Sequence, residues 1–362
     1  MHCFHYDVLD PEYPYKAWIW FGNWGPEHEG MYYLRSHDGL KWERRDRVVD
    51  GYFGRGDLSA LRLELGGFEV YGPGDTTRFG FDPASGRFLG IFKFFAMDPV
   101  GNGNRLRSRA YAFINGLDQP FDHRCLEDLQ LTPPAIATGE QRAEDEYYES
   151  NAWRYGSIWL GELLVWHERG DYPEAEAGCS YIKLLSSRDG LRWRSVVSDQ
   201  RVDGPRVFLA GGIQGGNGGQ NDGGHLSLFS QGPLRIGNEL IFYYGASSWG
   251  KAADLPKRVS GGGIFRARLR LDGFVSVDSG SLTTPPLVFE GRELRVNAAG
   301  PVEVQVLGVD GAPCGRALIE GDSPGHVVTF DGSALRTIVP AGTARLRFRV
   351  GNGGRLYSFT IE

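Results

Sequence analysis

The heptapeptide SHDGLKW at residues 36–42 returns as SRDGLRW at residues 187–193. Asp-Gly supplies the side-chain acceptor and the positive φ of a tight turn. The Leu and Trp that follow can open a returning strand whose aromatic ring packs across the hairpin. The surroundings repeat as well. EGMYYLR and CSYIKLL lead into the two turns, YKAWIWFG and IWLGELLVW lie upstream of these, and HCFHYDV and YYESNAWRYG lie upstream again. The repeating unit is therefore three strands, an Asp-Gly turn and a fourth strand.

Two fainter copies fit the same frame. One reads DTTRFGFDP, RFLGIFKFF, RSRAYAFINGL and a short strand over residues 121–126; the other reads GHLSLFS, NELIFYYGA, GGIFRARLRLDGF and FVSVD. The turn glycines Gly39, Gly116, Gly190 and Gly273 recur at near-constant intervals. A four-stranded meander is apolar on both faces, so it is stable only when neighbours cover it, and successive meanders of this kind predict a β-propeller. The 53 glycines and the 13% aromatic content agree with an all-β chain of many turns.

After residue 278 the pattern becomes short alternating strands (ELRVNA, VEVQVLGVD, ARLRFRVG, RLYSFTIE), which predicts a small β-sandwich. The expected division is a propeller over 1–280 and a sandwich over 283–362, joined through SGSLTTPP.

A formal charge of −6 with no basic run excludes general attraction to nucleic acid or anionic membranes. No run of about 18 apolar residues is present, and the N-terminus shows no signal peptide. The chain as given reads as cytoplasmic, or as secreted or periplasmic if upstream sequence belongs to it. The four cysteines, Cys3, Cys125, Cys179 and Cys314, are scattered and predict neither disulfide nor metal framework. His2 and His5 do not make a metal pattern, and no cofactor is expected.

The Asp-Gly hairpins, the early DPEYPYK and GGIFRARLRLDGFVSVD running into a sandwich resemble the five-bladed propeller glycosidases, the invertase-like and arabinanase-like glycoside hydrolases of families 32 and 43. The likeness is greatest to a bacterial branch that carries a C-terminal sandwich. It implies five blades where four are visible, so a blade is expected to be missing or supplied from upstream. The W-M-N-D-P-N motif is absent, and the acid it carries has no counterpart. An incomplete ring would expose strand edges, so a second copy of the chain is a possible partner.

Innermost propeller strands converge on one axis, and glycoside hydrolysis needs two carboxyl groups flanking one bond. The inner strands offer Asp7, Asp75, Glu146 with Glu149, and Asp222. The resemblance favours Glu146 as general acid, with Asp7 and Asp75 as base, nucleophile or pKa modulator. For any single carboxylate, the plain alternative is a solvated strand end or turn cap. Arg78, Trp153, Tyr155, Trp166, His167 and Trp249, with Glu149 and Asp222, are expected to bind sugar by stacking and hydrogen bonding, or else to pack within blades or cap strand ends.

Two other motifs carry less. Residues 321–325 match G-x-S-x-G but run into a strand, not a helix. The glycine run at 211–224 lacks the Lys-Ser/Thr of a phosphate loop. Three functions remain open: hydrolysis of an oligo- or polysaccharide, glycan binding by an inactive propeller, and a protein-interaction scaffold.

Overall fold

A computed structural model describes residues 2–22, 28–50, 62–65, 68–97, 105–120, 130–132, 145–167, 179–196, 207–212, 221–229, 232–248 and 262–362. The fold is all-β: four propeller-blade sheets are followed by a sandwich. The first sheet is β1 (His2–Tyr6), β2 (Tyr15–Phe21), β3 (Gly30–Ser36) and β4 (Glu43–Asp50) in that order. The third repeats it with β11 (Asp145–Tyr155), β12 (Ile158–His167), β13 (Cys179–Ser187) and β14 (Arg194–Ser195).

The second sheet contains β5 (Arg62–Leu65), β6 (Phe68–Tyr71), β7 (Arg78–Asp82), β8 (Arg87–Met97), β9 (Arg105–Ile114) and β10 (Gln130–Thr132). Here β7 pairs with the first half of β8, while the unanticipated β5–β6 hairpin extends the second half. The strand expected over 121–126 lies outside the described residues; the one that pairs with β9 is β10. The fourth sheet contains β15 (His225–Phe229), β16 (Leu234–Ile236), β17 (Glu239–Ser247) and β18 (Gly263–Arg270), ordered β15-β17-β16 with β18 on β17. FVSVD does not complete it, because Val277 bridges to Leu356 instead.

The duplicated turns match bond for bond. Asp38 Oδ1 accepts the N–H groups of Leu40 and Lys41, both at 2.8 Å, and Asp189 Oδ1 accepts those of Leu191 and Arg192 at 2.9 and 2.8 Å. The Ser36 and Ser187 hydroxyls accept Gly39 N and Gly190 N, each at 2.9 Å. Trp42 Nε1 and Trp193 Nε1 then donate to the carbonyls of Gly39 and Gly190. The returning strands begin one residue after each Trp, so the Trp closes the turn instead of opening the strand. In the fainter copies Gly116 and Gly273 are not the positive-φ residues; Asp272 takes that role in the last.

Gly190 has φ +79°, and a Cβ there would lie 3.0 Å from Nε1 of the buried Trp159. Gly156 has φ +58° with nothing within 4 Å. Gly190→Ala should therefore cost about 2 kcal/mol and Gly156→Ala about 1 kcal/mol, the second being left-handed strain alone. Urea denaturation of the two variants checks the order.

Chain contacts form two compact units, Met1–Gly232 with Phe242–Arg266, and Pro233–Ile241 with Ala267–Glu362. Within the first, the innermost strands pack in sequence, β1 on β7, β7 on β11 and β11 on β15. Two-sided apolar strands cause this. In β8, Phe92 and Phe94 join Trp18, Met31 and Val49 of the first sheet, while Leu89 and Ile91 join Ala152 and Trp159 of the third. Each such buried side chain contributes about 1.5–3 kcal/mol, which an isolated blade would forfeit. Trp18 Nε1 donates to the Leu117 carbonyl at 2.7 Å, so the largest core residue of the first sheet is also tied to the second.

In the second unit, β19 (Gly280–Thr283), β20 (Leu287–Val288), β22 (Val302–Leu307), β23 (Pro313–Ile319) and β25 (Thr343–Val350) form one sheet. The other is β24 (Asp322–Val328), β21 (Leu294–Ala299) and β26 (Arg355–Ile361), with one short helix, α1 (Leu335–Ile338). Alternation is strict: Val302, Val304 and Val306 face Leu346, Phe348 and Val350 in the core, while Glu303 takes Arg349 outside. The G-x-S-x-G residues lie at the start of β24, which removes the nucleophile-elbow reading.

Candidate functional site

Asp75 precedes β7, Glu146 is the second residue of β11 and Asp222 precedes β15, so acids stand at the starts of three consecutive inner strands. The strand starts adjoin one another. Thr76 Oγ1 donates to the Tyr148 carbonyl at 3.2 Å, and the Tyr148 ring meets His225 at 6.0 Å and Trp166 at 5.9 Å.

Asp75 and Glu146 are each held by a cation. Lys93 donates to Asp75, and Arg107 pairs with Glu146. The Lys93 ammonium and the Arg107 guanidinium both lie over the Phe95 ring, at 5.1 and 5.5 Å. Arg107 also covers Tyr148 at 5.1 Å and Trp166 at 5.6 Å. One group thus runs Asp75, Lys93, Phe95, Arg107, Glu146, with Tyr148 and Trp166 against the central guanidinium. It is open on the Asp75 side, where the carboxylate is 38% exposed and its lysine only 3%.

Burial pushes Lys93 down to about 8, against Asp75, with Arg109 and Arg107 adding to the depression. Burial works to raise Asp75, but Lys93 and Arg109 hold its carboxyl below the usual range. Burial pushes the Tyr148 phenol up to about 12, so it stays protonated.

A buried polar layer lies beneath. The Arg109 guanidinium, wholly buried, donates to the Thr76 carbonyl and hydroxyl at 3.0 and 2.9 Å and to the Tyr147 carbonyl at 3.2 Å. Arg78 pairs with Glu149 at 3.2 Å and donates to the Phe229 carbonyl. Asn151 donates to Glu162 Oε1, and the Phe229 N–H donates to Glu162 Oε2, both at 3.3 Å. Burial pushes the Glu162 carboxyl up to about 8; Arg78, the Phe229 N–H and Asn151 oppose this, and Glu149 adds to it. These bonds clamp the second, third and fourth sheets together.

The structure thus brings Asp75 and Glu146 into one cluster but not Asp7. Asp7 follows β1 where the other acids stand at the starts of their strands. Its carboxylate is closed by Lys16 at 2.6 Å and the Leu9 N–H at 3.0 Å, and the Lys16 bond holds its pKa down. It caps the β1–β2 turn. Glu146 faces a guanidinium where a group of carboxylates was expected.

Arg78 and Glu149 lie in the buried layer, not on an open wall. Trp153 is buried against Phe242 and Gly232, a packing position. Tyr155 is at the far end of β11 from Glu146. Asp222 accepts the Tyr244 hydroxyl at 3.0 Å and the Gly212 N–H at 3.2 Å. His167 ends β12 opposite Asp145, its side chain outside the described residues, as is all of Trp249.

Sequence reasoning missed Lys93, Arg107, Arg109 and Glu162. Three of these carried a signal. Lys93 in GIFKFF, Arg109 in SRAYAF and Glu162 in LGELLV interrupt strands otherwise fit for full burial, and a charge is buried only when paired or hydrogen-bonded. Among the described residues, no group of His, Cys, Asp and Glu could hold a metal ion. None of the described helices is long and apolar enough to cross a membrane.

No family model matches the chain, and no curated protein matches it. Solved structures similar to it include a Bombyx mori GH32 β-fructofuranosidase, 11% identical over 96% of this chain and 89% of that one, with a TM-score of 0.34. A second comes from the GH130 family of mannoside phosphorylases, which contains glycoside hydrolases that target β-1,2 mannosidic linkages in Candida mannan. It is 12% identical over 74% of this chain and 65% of that one, with a TM-score of 0.36. A putative exo-β-1,3-galactanase from Bifidobacterium bifidum is 11% identical over 74% and 87%, with a TM-score of 0.33. These likenesses transfer neither residues nor an activity to this chain.

Proposed function

We propose that the chain is a glycoside hydrolase acting on an oligo- or polysaccharide at the Asp75–Glu146 cluster. One observation carries the reading: two carboxylates from the starts of adjacent inner strands belong to one partly open group that also presents aromatic rings. Lys93 keeps Asp75 anionic, which suits the base, nucleophile or charge-stabilising partner. Glu146 is then the proton donor to the leaving-group oxygen, a role that requires substrate to displace Arg107. The half-buried Tyr148 and His225 supply ring edges for a sugar, and the buried Trp166 backs Tyr148 and Arg107.

The Arg107–Glu146 pair also favours a second reading, glycan binding without turnover, because a carboxylate locked to a guanidinium donates no proton. The two are separated by incubating the protein with neutral and acidic oligosaccharides and aryl glycosides, following reducing-end release, and measuring binding by calorimetry. Hydrolysis is the expected result. Saturable binding with no product supports the second reading, and neither binding nor product across the panel overturns both.

A further inference from the structure

The duplicated turns differ in one respect that their shared geometry makes measurable. In the first sheet, Arg35 and Glu43 are cross-strand partners and pair at 3.1 Å. In the third sheet the corresponding cross-strand partners are Ser186 and Arg194. The carboxylate is gone and a guanidinium stands in its place. The turn itself carries Arg188 and Arg192 where the first has His37 and Lys41.

These side chains surround a cleft of about 480 Å³ lined by Ile158, Ser186, Arg188, Asp189, Arg192 and Arg194. That volume lies within the roughly 300–1,000 Å³ of small-molecule sites. Asp189 is the one carboxylate on the lining; its Oδ1 accepts the Ser187 hydroxyl and the Leu191 and Arg192 N–H groups, and its charge offsets only one of the three guanidinium groups. Among the described residues, no salt bridge occupies Arg188, Arg192 or Arg194. Three guanidinium groups against one carboxylate leave a net positive pocket whose planar forks suit oxyanion binding.

The cleft is separate from the Asp75–Glu146 cluster. Ile158 pairs with Tyr155 at the end of β11, nine residues from Glu146, or about 30 Å along the strand. We propose that this cleft is a second ligand site that takes a divalent oxyanion, a sulfate or phosphate group, free or carried on a larger molecule.

The test writes the first turn into the third. In the double variant Ser186→Arg/Arg194→Glu, the new pair occupies positions where the same fold already holds Arg35 with Glu43. Calorimetry in low-salt chloride buffer would compare inorganic phosphate, inorganic sulfate, glucose 6-phosphate and glucose. Saturable binding of at least one anion and none of glucose is expected, weakened at least about tenfold in the double variant, the scale of one charge-assisted hydrogen bond. Arg45→Ala, which makes the same change in net charge elsewhere, should bind as the parent does. If the double variant unfolds, Arg188→Gln/Arg192→Gln takes its place with the same expected loss. Tighter binding of glucose 6-phosphate than of phosphate supports a carried group, and equal affinity supports the free ion. No saturable binding, or equal binding in parent and variants, or an equal loss in Arg45→Ala, overturns the site.

Discussion

Glu146→Gln should lower kcat on an unactivated oligosaccharide by about 10²- to 10⁴-fold while leaving substrate binding nearly intact. The amide keeps the shape of the side chain and removes the proton donor. An activated aryl glycoside has a leaving group that needs little protonation, so its rate should fall much less. Equal losses on both substrates would take the donor role away from Glu146.

Asp75→Asn should be as damaging on both substrates, because the anionic partner serves whatever the leaving group. That substitution also deprives the buried Lys93 of its carboxylate; breaking a fully buried pair commonly costs about 3–5 kcal/mol, and the exposure of Asp75 makes the cost here smaller. A stability loss could then be mistaken for a catalytic one. Asp75→Asn/Lys93→Met separates them by removing the stranded ammonium as well. Recovered thermal stability without recovered turnover assigns Asp75 to the reaction; recovery of both would leave it a structural partner of Lys93.

Much of the architecture was legible because each blade repeats a local rule. The Ser-x-Asp-Gly turn closes on its own backbone, and Val302, Val304 and Val306 alternate with polar residues as one buried sheet face requires. The copies without that turn were placed less well. Gly116 and Gly273 do not carry the positive φ, and the fourth sheet ends in a bridge from Val277 to Leu356 that no local pattern encodes.

In the candidate site, Asp75 and Glu146 could be picked out because acids at strand starts can share a location. Asp7 fits the same composition but sits after its strand, a difference of register only. The cations that define the site come from β8 and β9, neighbours across the sheet and not in sequence. Reading an interrupting Lys93 or Arg109 as half of a buried pair requires knowing which strand start faces it.

Glu162→Gln should gain stability relative to wild type as pH rises, by an amount on the order of several kcal/mol between pH 4.5 and pH 8. Glu162 is fully buried, so the carboxyl is disfavoured as an anion and its pKa rises from 4.5 to about 8. Between those values the folded chain binds more protons at this position than the unfolded chain does. Stability therefore falls as pH rises through this window, and the loss is complete above about pH 8.

Among the described residues, His5 and Lys93 act with the opposite sign. His5 is pushed below 6.5 by burial, so its contribution rises with pH below that value. Lys93, at about 8 against 10.5, makes stability rise with pH between those two values. The wild-type curve alone thus mixes several titrations. The difference between wild type and Glu162→Gln does not, since His5 and Lys93 are common to both.

Glutamine can still accept the Phe229 N–H with its carbonyl oxygen, but its amide meets Asn151 as donor against donor, which subtracts a pH-independent cost. The slope of the difference is therefore the diagnostic quantity, more than its value at any one pH. Urea denaturation at pH 5, 6.5 and 8 should show the variant gaining on the wild type at each step. A difference that stays flat across the series would mean that Glu162 is ionised in the folded chain throughout, held as a carboxylate by Arg78, Asn151 and the Phe229 N–H.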